Sequence, residues 1–217
     1  MEQENDGGVV LKGYFITVEG LDGCGKTTQL NNIADYFEQK GREVIMTREP
    51  GGTKLGEKIR EILLDVDNTG MNSVAELMLY AAARAQIVLK LIVPAVEEGK
   101  IVICDRFVDS SIAYQGYGRE LGADIVKGIN SYALQGCKPD ITLFFDISPR
   151  EIAKRKTMKD KPDRLESEKI DFHERVYKGY LELAEAERER IVVIDSRREI
   201  YEVFQDVKGY LDSRLKD

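Results

Sequence analysis

Apolar residues recur along this chain in two rhythms: short runs closed by glycine or acid, and longer stretches in which they return every three or four positions. Tyr14 to Val18 is the first run, short and partly β-branched, and it suits a strand buried in a parallel sheet. After a tight loop, Thr28, Leu30, Ile33, Ala34 and Phe37 set a helical period that Gly41 is expected to stop. The alternation then repeats. Strands are expected over residues 42–47, 101–104, 140–147 and 190–195, and helices over 54–64, 122–136 and 199–215. Between them Val74, Leu77, Met78, Ala81, Ala85, Val88 and Ile92 describe a long buried helix, with Ser73 to Glu76 reading as a capping box. Pro94 is expected to kink or restart it and Gly99 to end it. Strands alternating with helices, joined by right-handed crossovers, imply an α/β fold: a five-stranded parallel sheet with helices on both faces.

Composition narrows the class. With 217 residues, 42% of them hydrophobic, the chain can bury a core and reads as a single domain over 1–217, with residues 1–13 a flexible lead-in. Met1 to Asp6 is acidic and polar rather than a signal peptide, and no apolar run is expected to reach membrane-spanning length. Against 32 Lys and Arg stand 39 Asp and Glu, so a broad footprint on nucleic acid is disfavoured. Cys24, Cys104 and Cys137 are too few and too widely spaced for a disulfide framework or a zinc set, which points to a reducing cytoplasm. His173, the only histidine, is read as structural.

The chemistry gathers at strand ends. Gly20 to Thr27 spells G-x-x-x-x-G-K-T between a strand and a helix, the context in which glycine N–H groups converge on phosphates. The loop, with Gly20, Asp22, Gly23, Cys24, Gly25, Lys26, Thr27 and Thr28, is therefore a P-loop site for a nucleoside triphosphate: Lys26 supplies charge and Thr27 a hydroxyl for Mg²⁺. Cys24 either fills a small position there or is activated by the helix terminus and Lys26. Asp105 closes the strand over 101–104 as the carboxylate for the Mg²⁺ shell, and Arg106 points into the same crevice. Polar groups from Asp109 to Tyr117, including Ser111, Tyr114 and Gln115, suggest a wall that reads a substrate. Residues 48–53, Arg-Glu-Pro-Gly-Gly-Thr, sit where ligands of open α/β sheets bind. Tyr80 and Arg84 share a helix face, suited either to stacking on a base and bonding its edge or to packing on one another. Asp67 to Gly70 matches D-x-x-G but follows a helix and is read as a loop. Residues 154–166 hold Lys154, Arg155, Lys156, Lys159, Lys161 and Arg164, and read as a lid bringing positive charge over the triphosphate, because the P-loop itself carries no base before Lys26.

These motifs together resemble the thymidylate kinase family. Gly20 to Thr28 is similar to its phosphate loop, Thr47 to Thr53 to its T-R-E-P-G-G-T turn, and Asp105 to Gly116 to its D-R-[YFH]-x-x-S-x-x-A-Y-Q-G segment. The resemblance implies transfer of the γ-phosphoryl of ATP to dTMP with Mg²⁺, in a homodimer. It also implies that Arg48 and Arg106 hold the dTMP phosphate, that Tyr80 stacks on thymine, and that Arg84, Ser111 and Gln115 bond its edge. Asp22 is expected to meet the 3′-hydroxyl and Tyr114 to crowd the 2′ position. Basic help is expected from the lid, with Arg155 against adenine and Lys159, Lys161 and Arg164 as the candidates for the base near the transferred group. A kinase of another nucleoside monophosphate, a deoxynucleoside kinase, a non-catalytic nucleotide switch and a DNA-associated ATPase are the competing readings. The last conflicts with the net charge of −7.

Overall fold

The structure is a computed structural model that describes residues 12–155 and 162–215. Most of the expected lead-in, and Lys156, Lys159 and Lys161 of the expected lid, lie outside the described residues. Five strands, β1 (Tyr14–Glu19), β2 (Val44–Arg48), β3 (Ile101–Asp105), β4 (Ile141–Asp146) and β5 (Ile191–Asp195), form one sheet in the order β2-β3-β1-β4-β5. Every pairing is parallel. Central β1 is buried along its whole length, as continuous apolar runs in doubly covered sheets are.

Because the strands run the same way, their carboxyl ends share one edge, and the order reverses beside β1. That edge is where open α/β sheets bind ligands. Helix α1 (Lys26–Gln39) leaves it directly from β1, and α2 (Lys54–Leu64) follows β2, with Thr53 Oγ1 capping α2 by accepting from Gly56 N at 3.0 Å.

The long helix is one continuous rod: α3 (Ser73–Ile87), a π-helical turn over Val88–Ile92, then α4 (Val93–Glu97), which opens at Pro94. Its start corrects the capping-box expectation. Asn72 is the cap, its side chain accepting from Val74 N at 2.9 Å. Glu76 is instead buried in ion pairs with distant arginines, because charge partners outweigh a local cap. The expectation about membrane-spanning runs is also corrected, since the helical stretch Ser73–Glu97 is long and apolar enough to cross a membrane. Here Leu77, Ile87, Val88 and Ile92 are sealed in the core, and Glu76 and Arg84 are buried in ion pairs.

After β3 come α5 (Val108–Ser111), a π-helical stretch over Ile112–Gly118, α6 (Ala123–Leu134) and, past β4, α7 (Pro149–Arg155). The expected polar segment is thus helical and mostly buried. Helix α8 (Ile170–Ala186) packs extensively on that π-helical stretch, with Phe172, Val176 and Tyr180 facing the core, and α9 (Ile200–Arg214) closes the chain.

Candidate active site

The loop between β1 and α1 turns on glycines with positive φ at Gly20 (139°), Gly23 (90°) and Gly25 (97°). At Gly20 a Cβ would lie 2.8 Å from the Phe145 carbonyl oxygen, so the loop could not pass there with a side chain. No side chain caps the start of α1, which leaves the positive end of its dipole to a ligand. Thr27 and Thr28 are exposed at this end. Lys26 is buried and folds back, donating from Nζ to the carbonyls of Gly20 and Leu21 at 3.0 Å each, with Asp22 Oδ1 at 3.7 Å. Cys24 is buried against the loop, the position of a small filler.

At the end of β3, Asp105 holds one buried carboxylate oxygen, Oδ1, with no hydrogen-bond partner. Leaving a buried carboxylate oxygen unpaired is unfavourable, and a hydrated cation next to the loop would satisfy it. Arg106 follows with φ at 69°, a left-handed backbone that turns its side chain toward the loop. Its Nη2 donates to Asp22 Oδ1 at 2.7 Å, and its Nη1 to Ser110 Oγ and Tyr180 Oη at 3.2 Å each. Burial favours a protonated Asp22, but the charges of Arg106 and then Lys26 outweigh it and hold the carboxyl well below the usual range.

Asp22, Tyr80, Arg84, Arg106, Ser111, Tyr114 and Gln115 all line one cleft, joined there by Glu49, Pro50, Arg60, Asp163 and Leu165. Residues as distant in sequence as Asp22 and Gln115 thus share one cleft. The Tyr114 hydroxyl is buried in this cleft without a hydrogen bond of good geometry, and the Arg106 guanidinium lies over its ring, 5.1 Å from the centroid. Arg84 is fully engaged by the protein: Nε and Nη2 donate to Glu49 Oε2 at 2.9 and 2.5 Å, Nη1 to Ser111 Oγ at 3.0 Å and to Asn130, and Nη2 also to the Phe107 carbonyl at 3.0 Å. Burial, partly offset by Arg84, pushes the Glu49 carboxyl up to about 7.

Three expected arginines are not in the cleft wall. Arg48 is exposed and pairs through Nη2 with Glu57 Oε2 at 2.8 Å, while Glu57 Oε1 also accepts from Gly52 N. Arg164 is buried on Leu63 O at 2.8 Å and on Glu76 Oε2 at 2.6 Å, so in this conformation it is a strut between the lid segment and α3 rather than a free base over the phosphate loop. Arg155 lies on the other side of the sheet edge, donating to the carbonyls of Ser196 at 3.1 Å and Arg197 at 3.0 Å beyond β5.

Three contributors escaped the sequence reading. Arg60 enters the cleft from α2, Tyr180 reaches Arg106 from the apolar stripe of α8, and Glu19 is a fully buried acid at the end of β1. For Glu19 the signal existed: like Asp105, it is a charge closing an apolar strand at the sheet edge.

A phosphate loop on the 2-3-1-4-5 parallel sheet, an orphaned carboxylate beside it and an arginine-rich cleft across from it define a P-loop phosphotransferase. The family profile described as thymidylate kinase matches residues 18–207, and the chain belongs to that family. It is 50% identical over 205 residues to a thymidylate kinase of Thermoanaerobacter sp. (strain X514), covering 93% of this chain and 100% of that one. A thymidylate kinase of Desulfosudis oleivorans is 52% identical over 189 residues, 84% of this chain and 88% of the relative. In three dimensions the crystal structure of thymidylate kinase from Ehrlichia chaffeensis superposes with a TM-score of 0.76 at 35% identity, over 92% of this chain and 98% of that one.

Proposed function

We propose that the cleft between Tyr80 and Arg106 receives dTMP and that the P-loop receives ATP, so that the γ-phosphoryl passes between them. The activity is that of the family, an ATP-dependent kinase (EC 2.7.4.9) that converts dTMP to dTDP for dTTP synthesis. The observation that carries the assignment of sites is the guanidinium of Arg106. It is fixed on one side by Ser110 and Tyr180 and bridged by Asp22 to the lysine of the phosphate loop.

An oxygen of the dTMP phosphate is already ionised near neutral pH, so no strong general base is required. Catalysis reduces to alignment and charge neutralisation. Lys26 leaves the loop carbonyls to meet the phosphates, and Arg106 holds the acceptor phosphate. Asp22 lies between them, where the sugar 3′-hydroxyl would reach it. Thr27 and the orphaned Asp105 oxygen suit a hydrated Mg²⁺, which when bound neutralises charge on the donor phosphates. In the base pocket Tyr80 offers its ring face, Gln115 and Ser111 offer polar edges, and Arg84 bonds the base only by exchanging one of its protein acceptors for it. Tyr114 walls the 2′ side. Arg48 joins the acceptor phosphate only after exchanging Glu57 for it, and Arg155 lies where adenine would stack. The lid comprises residues 154–166 of one kinase domain.

The assembly we propose is a homodimer through α3 and α6, supported by exposed Val74, Met78, Ile125 and Tyr132, the last 85% accessible. The unpaired state of all three cysteines supports a reducing, cytoplasmic setting. The test is ADP release from ATP and Mg²⁺ with dTMP, dUMP, dCMP, dGMP, AMP, UMP or no acceptor. Turnover led by dTMP, weaker with dUMP and near background with UMP, is expected. Another preferred acceptor would discard the base-pocket assignments, and turnover independent of acceptor would discard the kinase reading.

A further inference from the structure

Glu19 is the least expected residue in the core. It is the one charged residue of a fully buried strand and has no accessible surface, a position where an apolar side chain would satisfy packing without desolvating a charge. Four donors converge on it. Oε1 accepts from Phe107 N at 2.7 Å and from Ser110 N at 3.3 Å, and Oε2 from Ser110 Oγ at 2.6 Å and Tyr180 Oη at 2.8 Å. All of these donors lie around Arg106. Phe107 N belongs to the peptide that follows the left-handed Arg106, whose own N–H donates to Val18 O at 2.9 Å. The two hydroxyls are those on which Arg106 Nη1 rests.

We propose that Glu19 is a positioning residue for Arg106, setting both its strained backbone and the direction of its guanidinium. The reason is proton direction. A hydroxyl has one proton, and although Ser110 Oγ and Tyr180 Oη also lie 2.8 Å from one another, a carboxylate is the stronger acceptor and draws their protons toward itself, so that lone pairs face Nη1 of Arg106. With Nη1 held there and Nη2 on Asp22, the guanidinium is fixed in plane beside the Tyr114 hydroxyl. A guanidinium fixed in plane presents its remaining N–H groups to a phosphate in one direction. Burial, reinforced by Asp109, shifts the Glu19 carboxyl up to about 7, against the pull of Arg106, Ser110 and Tyr180. Losing the charge would free the hydroxyl protons to turn toward the guanidinium and push it off line.

This inference rests on Arg106 being the clamp for the dTMP phosphate, so the experiment separates the two. Glu19→Gln, Arg106→Ala and the double variant are compared by dTMP and ATP titration calorimetry and by steady-state kinetics. Glu19→Gln keeps the shape but offers one acceptor where four donors point, and is expected to weaken dTMP about 10-fold while ATP affinity stays within about twofold. On top of Arg106→Ala, the same change is expected to alter dTMP affinity by less than about twofold, since residues acting through one another are not additive. If the two losses multiply, or if ATP is weakened as much as dTMP, Glu19 does not act through Arg106 and the proposal is overturned. A defective Arg106→Ala beside a normal Glu19→Gln overturns this proposal alone. A normal Arg106→Ala overturns the clamp as well. Should Glu19→Gln fail to fold, Tyr180→Phe and Ser110→Ala carry the test. Each removes one hydroxyl between the carboxylate and Arg106 and is expected to weaken dTMP about threefold with ATP unchanged. Unaltered dTMP affinity in both overturns the proposal.

Discussion

Replacing Glu76 with alanine should strip this protein of a large share of its stability, although Glu76 is not itself among the residues that line the cleft. Its carboxylate has no accessible surface and accepts from Gln115 Nε2 at 2.8 Å, from Arg119 Nε and Nη2 at 3.3 and 3.2 Å, and from Arg164 Nη1 at 2.6 Å. Without it the buried Arg164 keeps only the Leu63 carbonyl as a side-chain acceptor, and Arg119 falls back on Glu168. Removing one partner from a buried pair costs about 3–5 kcal/mol, because the remaining charge is desolvated and unmatched. In a chain of this size each kcal/mol moves the melting temperature by about 2–4 °C, so a drop of about 6–20 °C is expected. Arg164→Met should cost less, since Glu76 keeps Arg119 and a thioether packs where the guanidinium lay.

The pH dependence gives the sign. Burial raises the Glu76 carboxyl, but bonds from Arg119 and Gln115, with Arg119 and Arg164 beside it, outweigh that and hold it below its ordinary value. The stability it contributes is therefore complete above the unfolded value of about 4.3 and is lost as pH falls through the lower folded value. The gap between wild type and Glu76→Ala should be widest at neutral pH and close in acid. The assay is thermal unfolding by circular dichroism from about pH 7 to about pH 3. A neutral-pH melting temperature within about 3 °C of wild type would refute the reasoning. So would a gap that widens in acid.

Lys26→Met should lower turnover by about 10²–10³-fold, the scale of losing one preorganised charge donor at the transition state, checked by steady-state ADP release with melting unchanged. Tyr114→Phe removes a hydroxyl that makes no hydrogen bond of good geometry and should change dTMP turnover by less than about threefold, whereas Tyr114→Ala should raise UMP turnover relative to dTMP in the acceptor panel. A Tyr114→Ala enzyme as strict as wild type would remove that residue from the 2′ side. Glu49 works oppositely to Glu76: its folded value is raised to about 7, so its contribution is complete below about 4.3 and is lost as pH rises through about 7. Glu49→Gln should flatten the fall in melting temperature over that interval, and an unchanged slope would contradict it.

Why some of this was legible in the sequence and some was not follows from how far each signal reaches. The strands at Tyr14 and Ile101 are continuous apolar runs, and the phosphate loop is a spacing of eight residues, so both are local. Asp105 and Arg106 could be placed because a strand end at a known sheet edge fixes direction. Glu76 went astray because Ser73 three positions before it completes a local capping pattern, while the partner that outbids it, Arg164, lies 88 residues away. The same distance disguised Arg164: charge density in the segment 154–166 suggests a lid but does not say toward which surface each base turns. Asp163 and Leu165 line the cleft on either side of an arginine anchored to α3, so the segment has a fixed root as well as a basic stretch. That anchoring has a physical sense: a guanidinium held by the Leu63 carbonyl and the Glu76 carboxylate ties Asp163 and Leu165 to α2 and α3, so the part of the cleft wall they form is set by a contact no local pattern announces.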